Sequence, residues 1–251
     1  MKVVAKFVHK IISPRTFYIF SKKLTPWLAV GTVCCLLYGF VYGLAVAPPD
    51  YQQGEGFRII YVHVPSAFLS LFVYVSMAMA SATFLIWRVK LADIIAQACA
   101  PIGAAFTLLA LITGAIWGKP MWGAWWVWDA RLTSELILLF LYLGYIALRH
   151  ALGVSLQASR ACSVLAIVGV VNIPIIHYSV VWWNTLHQGA TLSRFAAPAI
   201  DTAMLIPLLA MLLGFFFFYG LLLSIRVRTL LLLREQDSQW VIERLKRDVG
   251  I

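Results

Sequence analysis

Six apolar stretches constrain this chain more than any other feature, because each is long enough to cross a membrane as a helix. A hydrocarbon core of about 30 Å takes about 20 helical residues. In lipid a spanning segment must satisfy its own backbone hydrogen bonds, so these runs predict an all-α membrane protein with six transmembrane helices. The predicted spans are Trp27–Ala47, Pro65–Trp87, Ile94–Trp117, Leu132–Leu148, Ala161–Trp182 and Ile200–Leu223.

The composition agrees with a lipid environment. Of the 251 residues, 62% are hydrophobic and only 12% are charged, and the mean hydropathy is +0.88. A soluble domain of this size could not bury that much apolar surface. The net charge of +10 raises the alternative of nucleic-acid binding, but the basic residues flank apolar runs and form no continuous stripe. We therefore expect no nucleic-acid partner.

The distribution of lysine and arginine predicts the orientation. Sixteen of these residues fall in the N-terminal segment, the second and fourth loops and the C-terminal tail. Four fall in the first, third and fifth loops, and these are Arg58, Lys119, Arg131 and Arg194. Basic residues concentrate on the cytoplasmic side of membrane proteins. Both termini are therefore predicted to be cytoplasmic, and loops 48–64, 118–131 and 183–199 are predicted to face outward together.

The chain is predicted to form a single integral-membrane domain, 1–251, without a low-complexity linker. Residues 1–26 form a cytoplasmic N-terminal segment, and residues 27–223 form the six-helix core. Residues 224–251 are a basic cytoplasmic tail, which we expect to be helical and to lie on the membrane surface or on a partner.

Tryptophan is concentrated in the third loop. Five of the ten tryptophans lie within twelve positions, and they are Trp117, Trp122, Trp125, Trp126 and Trp128. An aromatic belt at the headgroup level is one interpretation, and a broad apolar platform for a flat macrocycle is the other. If the segment is helical, Trp122, Trp125 and Trp126 share one face. The composition by itself leaves the two interpretations equally open.

Two histidines, His63 and His187, fall in outward-facing loops on either side of this segment. A lone loop histidine is usually just polar surface. Two at the same membrane depth, however, could bind one haem iron from above and below. His177 lies inside the fifth apolar run, where a packed, hydrogen-bonded role is favoured over a functional one.

The outward basic residues are candidates for a second role. Arginine suits bidentate pairing with a carboxylate such as a haem propionate. Arg131 and Arg194 lie nearest the tryptophan segment and His187, so they are the first candidates, followed by Arg58 and Lys119. Local ion pairs are the alternative: Arg131 with Asp129 or Glu135, and Arg58 with Glu55. The four cysteines form no Cys-x-x-Cys-His motif for covalent haem attachment and are expected to be packing residues.

The segment Trp122-Gly-Ala-Trp-Trp-Val-Trp-Asp-Ala-Arg-Leu-Thr133 resembles the WWD signature of the haem-handling protein superfamily. The six helices, the chain length, the histidine before the second helix and the sequence Trp182-Trp-Asn-Thr-Leu-His-Gln-Gly189 resemble its haem exporter protein C type, from the bacterial cytochrome c maturation system. The resemblance covers Trp27 to Leu223. It implies haem b held at the periplasmic face of the inner membrane. The axial ligands of the iron would be His63 and His187, and the tryptophan segment with Asp129 would form the platform.

The resemblance also implies partners. These are a membrane-anchored periplasmic haem chaperone, a small single-span subunit, and the ATPase and permease subunits of an ABC transporter. The chain itself has no recognisable catalytic motif and no ATP-binding loop, so we expect a haem-transfer component rather than an enzyme. A b-type transmembrane electron carrier and a haem channel are the alternative functions. The first would need histidine pairs inside facing helices, and the second would need a charged path across the membrane.

The orientation can be tested by cysteine labelling in a variant without the four native cysteines. A membrane-impermeant thiol reagent added from outside should label Ala124→Cys in the 118–131 loop and leave Ser155→Cys in the 149–160 loop unlabelled. The opposite labelling pattern would show that the topology is inverted.

Overall fold

The computed structural model describes residues 13–187 and 200–249 of the chain. These residues contain six segments that are long and apolar enough to cross a membrane, the fifth being interrupted in its middle. The prediction of an all-α protein with six membrane spans is therefore confirmed. The α-helices are Pro14–Val41 (α1), Ile60–Trp87 (α2), Lys90–Trp122 (α3), Ala130–Leu152 (α4), Leu156–Val168 (α5), Asn172–Trp182 (α6), Thr202–Arg234 (α7) and Gln239–Val249 (α8).

Close packing joins α2, α3 and α4. The ring of Tyr142 on α4 lies against Gly103 on α3, where an added Cβ would come within 2.1 Å of the ring. The Tyr142 hydroxyl donates to the carbonyl of Ser70 on α2 at 2.8 Å. Lipid supplies no hydrophobic drive for helix association, so small residues that allow close approach are typical of such contacts. These three helices form the frame of the site described below.

The prediction that His63 lies in a loop before Pro65 is wrong. A 3-10 turn at Glu55–Ile59 leads directly into α2, which begins at Ile60, so His63 lies in the first turn of a helix. Proline is tolerated this near a helix N-terminus, because only one backbone donor is lost and other groups can compensate for it. His63 is therefore held by a helix.

The first and last spans also extend beyond their predicted bounds. α1 begins at Pro14, where Ser13 caps the helix by accepting the Thr16 N–H at 3.2 Å. α7 continues to Arg234, eleven residues into the predicted tail. Polar residues end an apolar run without ending a helix, because the backbone hydrogen bonds continue into the headgroup region. The tail helix α8 follows, and its Trp240 ring contacts Tyr18 of α1 at 5.8 Å between centroids.

The fifth span consists of two helices, α5 and α6, joined by a 3-10 turn at Gly169–Val171. Gly169 lies against α2, because an added Cβ would meet the Tyr74 hydroxyl at 2.0 Å. The Asn172 side chain, next to the turn, donates to the Ser134 carbonyl of α4 at 2.9 Å. Short 3-10 segments interrupt helices where packing requires it. Here the interruption allows the fifth span to contact both α2 and α4.

A buried ion cluster ties helix ends together on the side of the bundle opposite His63. Asp93 near the start of α3 is 1% exposed and is paired with Arg149 of α4. It also accepts from Arg234 of α7 at 2.6 Å and from Ser159 of α5 at 2.9 Å. A buried charge persists only when it is paired and hydrogen-bonded. One carboxylate therefore connects four helices.

Asp93→Ala should lower the free energy of unfolding by about 3–5 kcal/mol, because the variant leaves two arginines without their buried counter-charge. The measurement is the thermal melting of the purified protein in detergent. Asp237→Ala is the matched control, because Asp237 is exposed in the turn before α8 and should change stability by less than about 0.5 kcal/mol. Equal melting temperatures for the two variants would contradict the role of Asp93.

Candidate functional site

A pocket opens among the N-terminal turn of α2, the C-terminal half of α3 and the start of α4, and it encloses about 760 Å³ when the open solvent at its mouth is included. One wall consists of small apolar residues, namely Ala67, Ala110, Gly114 and Ala115. Because their side chains project little, this wall can accept a broad, flat and apolar ligand.

His63 and His187 both line this pocket. Their ring centroids are 6.3 Å apart, with 38° between the ring planes. Two imidazoles that bind one metal ion from opposite sides, each at about 2 Å, have centroids about 6 Å apart. Residues 124 positions apart in the chain thus lie at a separation that suits a shared iron.

The surroundings of His63 come from α3. Its Nδ1 atom is 3.0 Å from the Thr113 hydroxyl, and the Trp117 ring meets it edge-on with 5.6 Å between centroids. An added Cβ at Gly114 would lie 3.1 Å from the His63 Cε1 atom. The ring is therefore enclosed by three residues within about one turn of α3.

His187 is positioned through Asp129, the acidic residue of the WWD segment. Asp129 caps α4 by accepting the Leu132 N–H at 2.8 Å, and its second carboxylate oxygen accepts the Thr185 hydroxyl. The Thr185 oxygen in turn accepts the backbone N–H of His187 at 3.1 Å. The His187 ring lies 6.2 Å from that of Trp122. The start of α4 and the segment carrying His187 are therefore linked by one carboxylate.

The tryptophans of the WWD segment divide between the pocket and the surface. Trp117, Trp122 and Trp126 line the pocket, whereas Trp125 is 58% exposed and Trp128 is 77% exposed. α3 ends at Trp122, and Gly123 turns the chain with φ +77°. The residues that follow, up to Asp129, are not helical, so the shared helical face considered for Trp122, Trp125 and Trp126 does not form.

The basic residues of the predicted outer side have different surroundings. Arg131 lines the pocket, and one of its amino groups donates to the Ile176 carbonyl at 2.7 Å. Arg58 forms the predicted pair with Glu55. Lys119 donates to the Gly123 carbonyl at 3.1 Å. Arg194, the other first candidate for a propionate, lies outside the described residues.

Two polar residues of the pocket had no assigned site role in the sequence. Glu135 is 8% exposed, lines the pocket and accepts the Ser70 hydroxyl at 2.7 Å. Its spacing of four from Arg131 on α4 places both on one helix face, and this was the available signal. Gln53 also lines the pocket and accepts the Trp117 indole N–H at 2.9 Å. Nothing in the local sequence of Gln53 distinguishes it from ordinary loop residues.

His177 is not among the pocket residues. It lies on α6 and its ring contacts Tyr178, with 4.7 Å between centroids. Among the residues described, no group of three or more His, Cys, Asp or Glu is arranged to hold a metal ion. Two imidazoles at this separation can complete the coordination of a metal whose other positions are already filled, as in a haem.

The chain has relatives among known proteins. The sequence model of the family described as "Heme exporter protein C" matches residues 7–242. The chain is similar to the heme exporter protein C of Escherichia coli (strain K12), with 51% identity over 238 residues that cover 95% of this chain and 96% of the relative. The Haemophilus influenzae protein of the same name is 51% identical over 236 residues, covering 94% and 96%. A putative cytochrome c biosynthesis ccmC-like mitochondrial protein of Marchantia polymorpha is 45% identical over 215 residues, covering 80% and 91%.

Proposed function

The chain belongs to the haem exporter protein C family, and on that premise we propose that it holds haem at the periplasmic face of the bacterial inner membrane. From there it delivers the haem to a membrane-anchored periplasmic chaperone for c-type cytochrome biogenesis. The pair of imidazoles, with centroids 6.3 Å apart in one pocket, is the observation that carries this proposal. Haem is cargo here, and the chain supplies its ligands and its docking surface.

His63 and His187 are the proposed axial ligands of the iron. Two imidazoles are too few to hold a bare ion tightly, but they complete the coordination of an iron that already has four macrocycle nitrogens. His63 lies on a helix, and His187 is positioned through Thr185 and Asp129. The two proposed ligands therefore come from different parts of the fold, each with its own supporting contacts.

The tryptophans and small residues of the pocket supply the apolar surroundings. Trp117, Trp122 and Trp126 line the pocket together with the wall of α2 and α3 residues. Aromatic rings bury large areas and stack on flat groups, so this lining suits a porphyrin. We propose haem b as the form bound, since the chain has no Cys-x-x-Cys-His motif for a covalent attachment.

Arg131 is the proposed partner of a propionate among the described residues, and Arg194 remains a candidate from the sequence. One amino group of Arg131 is committed to the Ile176 carbonyl, which fixes the side chain while other donors stay available. A guanidinium has five N–H donors, so a carboxylate can still be bound. Propionates near Arg131 would face the end of the bundle where the WWD segment lies.

Delivery needs a surface that a partner can reach. Trp125 and Trp128 are exposed beside the pocket, and exposed tryptophans are common at protein interfaces. We propose this part of the WWD segment as the surface for the chaperone. The small single-span subunit and the ATPase and permease subunits of an ABC transporter complete the proposed assembly in the inner membrane.

His63→Ala and His187→Ala should each reduce the affinity for haem and abolish the six-coordinate absorption spectrum. Losing an outer-shell partner of a metal ligand typically weakens binding by roughly 10–100-fold, and the loss of a ligand itself should weaken it more. The measurement is a titration of the purified protein with ferric haem b, followed by absorption spectroscopy. His177→Ala is the matched control and should bind haem normally. A six-coordinate spectrum retained in both ligand variants would contradict the assignment.

Gly114→Ala should weaken haem binding about tenfold, which corresponds to about 1.4 kcal/mol. The added methyl group would lie 3.1 Å from the His63 ring and would push the ring from its position. The matched control is Gly144→Ala, because an added Cβ at Gly144 would meet only Leu165, at 3.9 Å. The same haem titration measures both variants, and equal affinities would show that the position of His63 does not depend on this contact.

A further inference from the structure

We propose that Thr113 is a positioning residue for His63, because its hydroxyl fixes which ring nitrogen carries the proton and how the ring is oriented. This inference rests on the proposed function, in which His63 binds the haem iron. Thr113 lies on α3 and is 9% exposed. It has no direct role toward the ligand in our proposal, and it acts through His63.

The first step concerns the single proton of the Thr113 hydroxyl. The hydroxyl oxygen is 2.6 Å from the Leu109 carbonyl, four residues back on α3, and 3.2 Å from the Ala110 carbonyl. Carbonyl oxygens can only accept, so the hydroxyl proton is donated to them. Toward His63, the Thr113 oxygen is therefore left as an acceptor.

The second step follows for the imidazole. The Nδ1 atom of His63 lies 3.0 Å from the Thr113 oxygen, and this contact is a hydrogen bond only if Nδ1 carries the proton. A neutral imidazole has one N–H, so Nε2 is then unprotonated and keeps its lone pair. An unprotonated nitrogen is the form that binds iron. In this arrangement the Thr113 hydroxyl favours the ligating tautomer before haem arrives.

A purely structural role is the alternative, because threonines often donate to the carbonyl four residues back in membrane helices. The same helix supplies the comparison. Thr107 is fully buried and donates to the Gly103 carbonyl at 2.8 Å, but none of the histidines that the structure describes is recorded in contact with it. Thr113 differs in having an imidazole nitrogen on its acceptor side, and Thr107 is therefore the matched control for this helix.

The experiment uses the full-length protein in detergent, with Thr113→Val, Thr113→Ser and Thr107→Val as variants. Valine keeps the shape of threonine without the hydroxyl, and serine keeps the hydroxyl without the methyl group. The readouts are the affinity for ferric haem b and the midpoint potential of the bound haem. A hydrogen bond from Nδ1 makes the imidazole a stronger electron donor and so favours ferric iron.

Thr113→Val should weaken ferric haem binding by about 10–100-fold. The midpoint potential of the bound haem should rise by about 59 mV for each factor of ten by which the loss of ferric affinity exceeds the loss of ferrous affinity. Thr113→Ser should restore both values, and Thr107→Val should leave both unchanged. If Thr113→Val abolishes binding altogether, a wild-type potential and affinity in Thr113→Ser still support the role of the hydroxyl.

The inference is overturned if Thr113→Val keeps the wild-type affinity and potential, or if Thr113→Ser fails as Thr113→Val does. It is also overturned if Thr107→Val has the same effect, since helix packing alone would then explain the loss. His63→Ala separates this failure from failure of the proposed function. Loss of haem in His63→Ala, with a normal Thr113→Val, refutes only the role of Thr113. Normal haem binding in His63→Ala refutes the ligand assignment itself.

Discussion

The packing of α2 against α3 is the contact on which the candidate site depends. His63 reaches the pocket from the first turn of α2, and its ring is held by Thr113, Gly114 and Trp117 of α3. The two helices can keep this contact in lipid because they approach closely and each forms its own backbone hydrogen bonds. Tyr142, which fits against Gly103 and donates to Ser70, adds α4 to the same frame. Metal sites need ligands that packed neighbours hold within about 0.5 Å of the productive geometry, and these contacts supply such neighbours to His63.

The WWD segment lines the pocket and also forms an exposed surface, and its acidic residue connects it to the rest of the fold. Asp129 ends the irregular stretch by capping α4, and it holds the His187 segment through Thr185. The tryptophans before it divide between the pocket, in the case of Trp126, and the surface, in the case of Trp125 and Trp128. The same short segment therefore forms part of the pocket lining and an exposed aromatic surface.

Much of the site could be predicted because its residues are conspicuous against the apolar background. His63, His187, the tryptophans and Arg131 are polar or aromatic residues near span ends, and the charge distribution predicts that they lie on one side of the membrane. Thr113 and Gly114 could not be predicted, because they are ordinary residues inside an apolar run and their importance depends on the rotation of α3 about its axis. Asp93 could be noticed as a charge near a span end, but its partners Arg149 and Arg234 are 56 and 141 residues away. Only helix packing brings them together.

By itself, the sequence determined that the chain is a six-span helical membrane protein of the WWD type. In lipid, an apolar run of this length forms its backbone hydrogen bonds as a helix. The WWD motif is a short stretch of consecutive residues, so the sequence shows it directly. The tertiary structure decided where α2 begins, how the tryptophans divide, and that two histidines distant in the chain lie 6.3 Å apart. Those outcomes depend on side chains meeting across helices. The physical reason is that such contacts are set by close approach and helix rotation, which no local run of residues specifies.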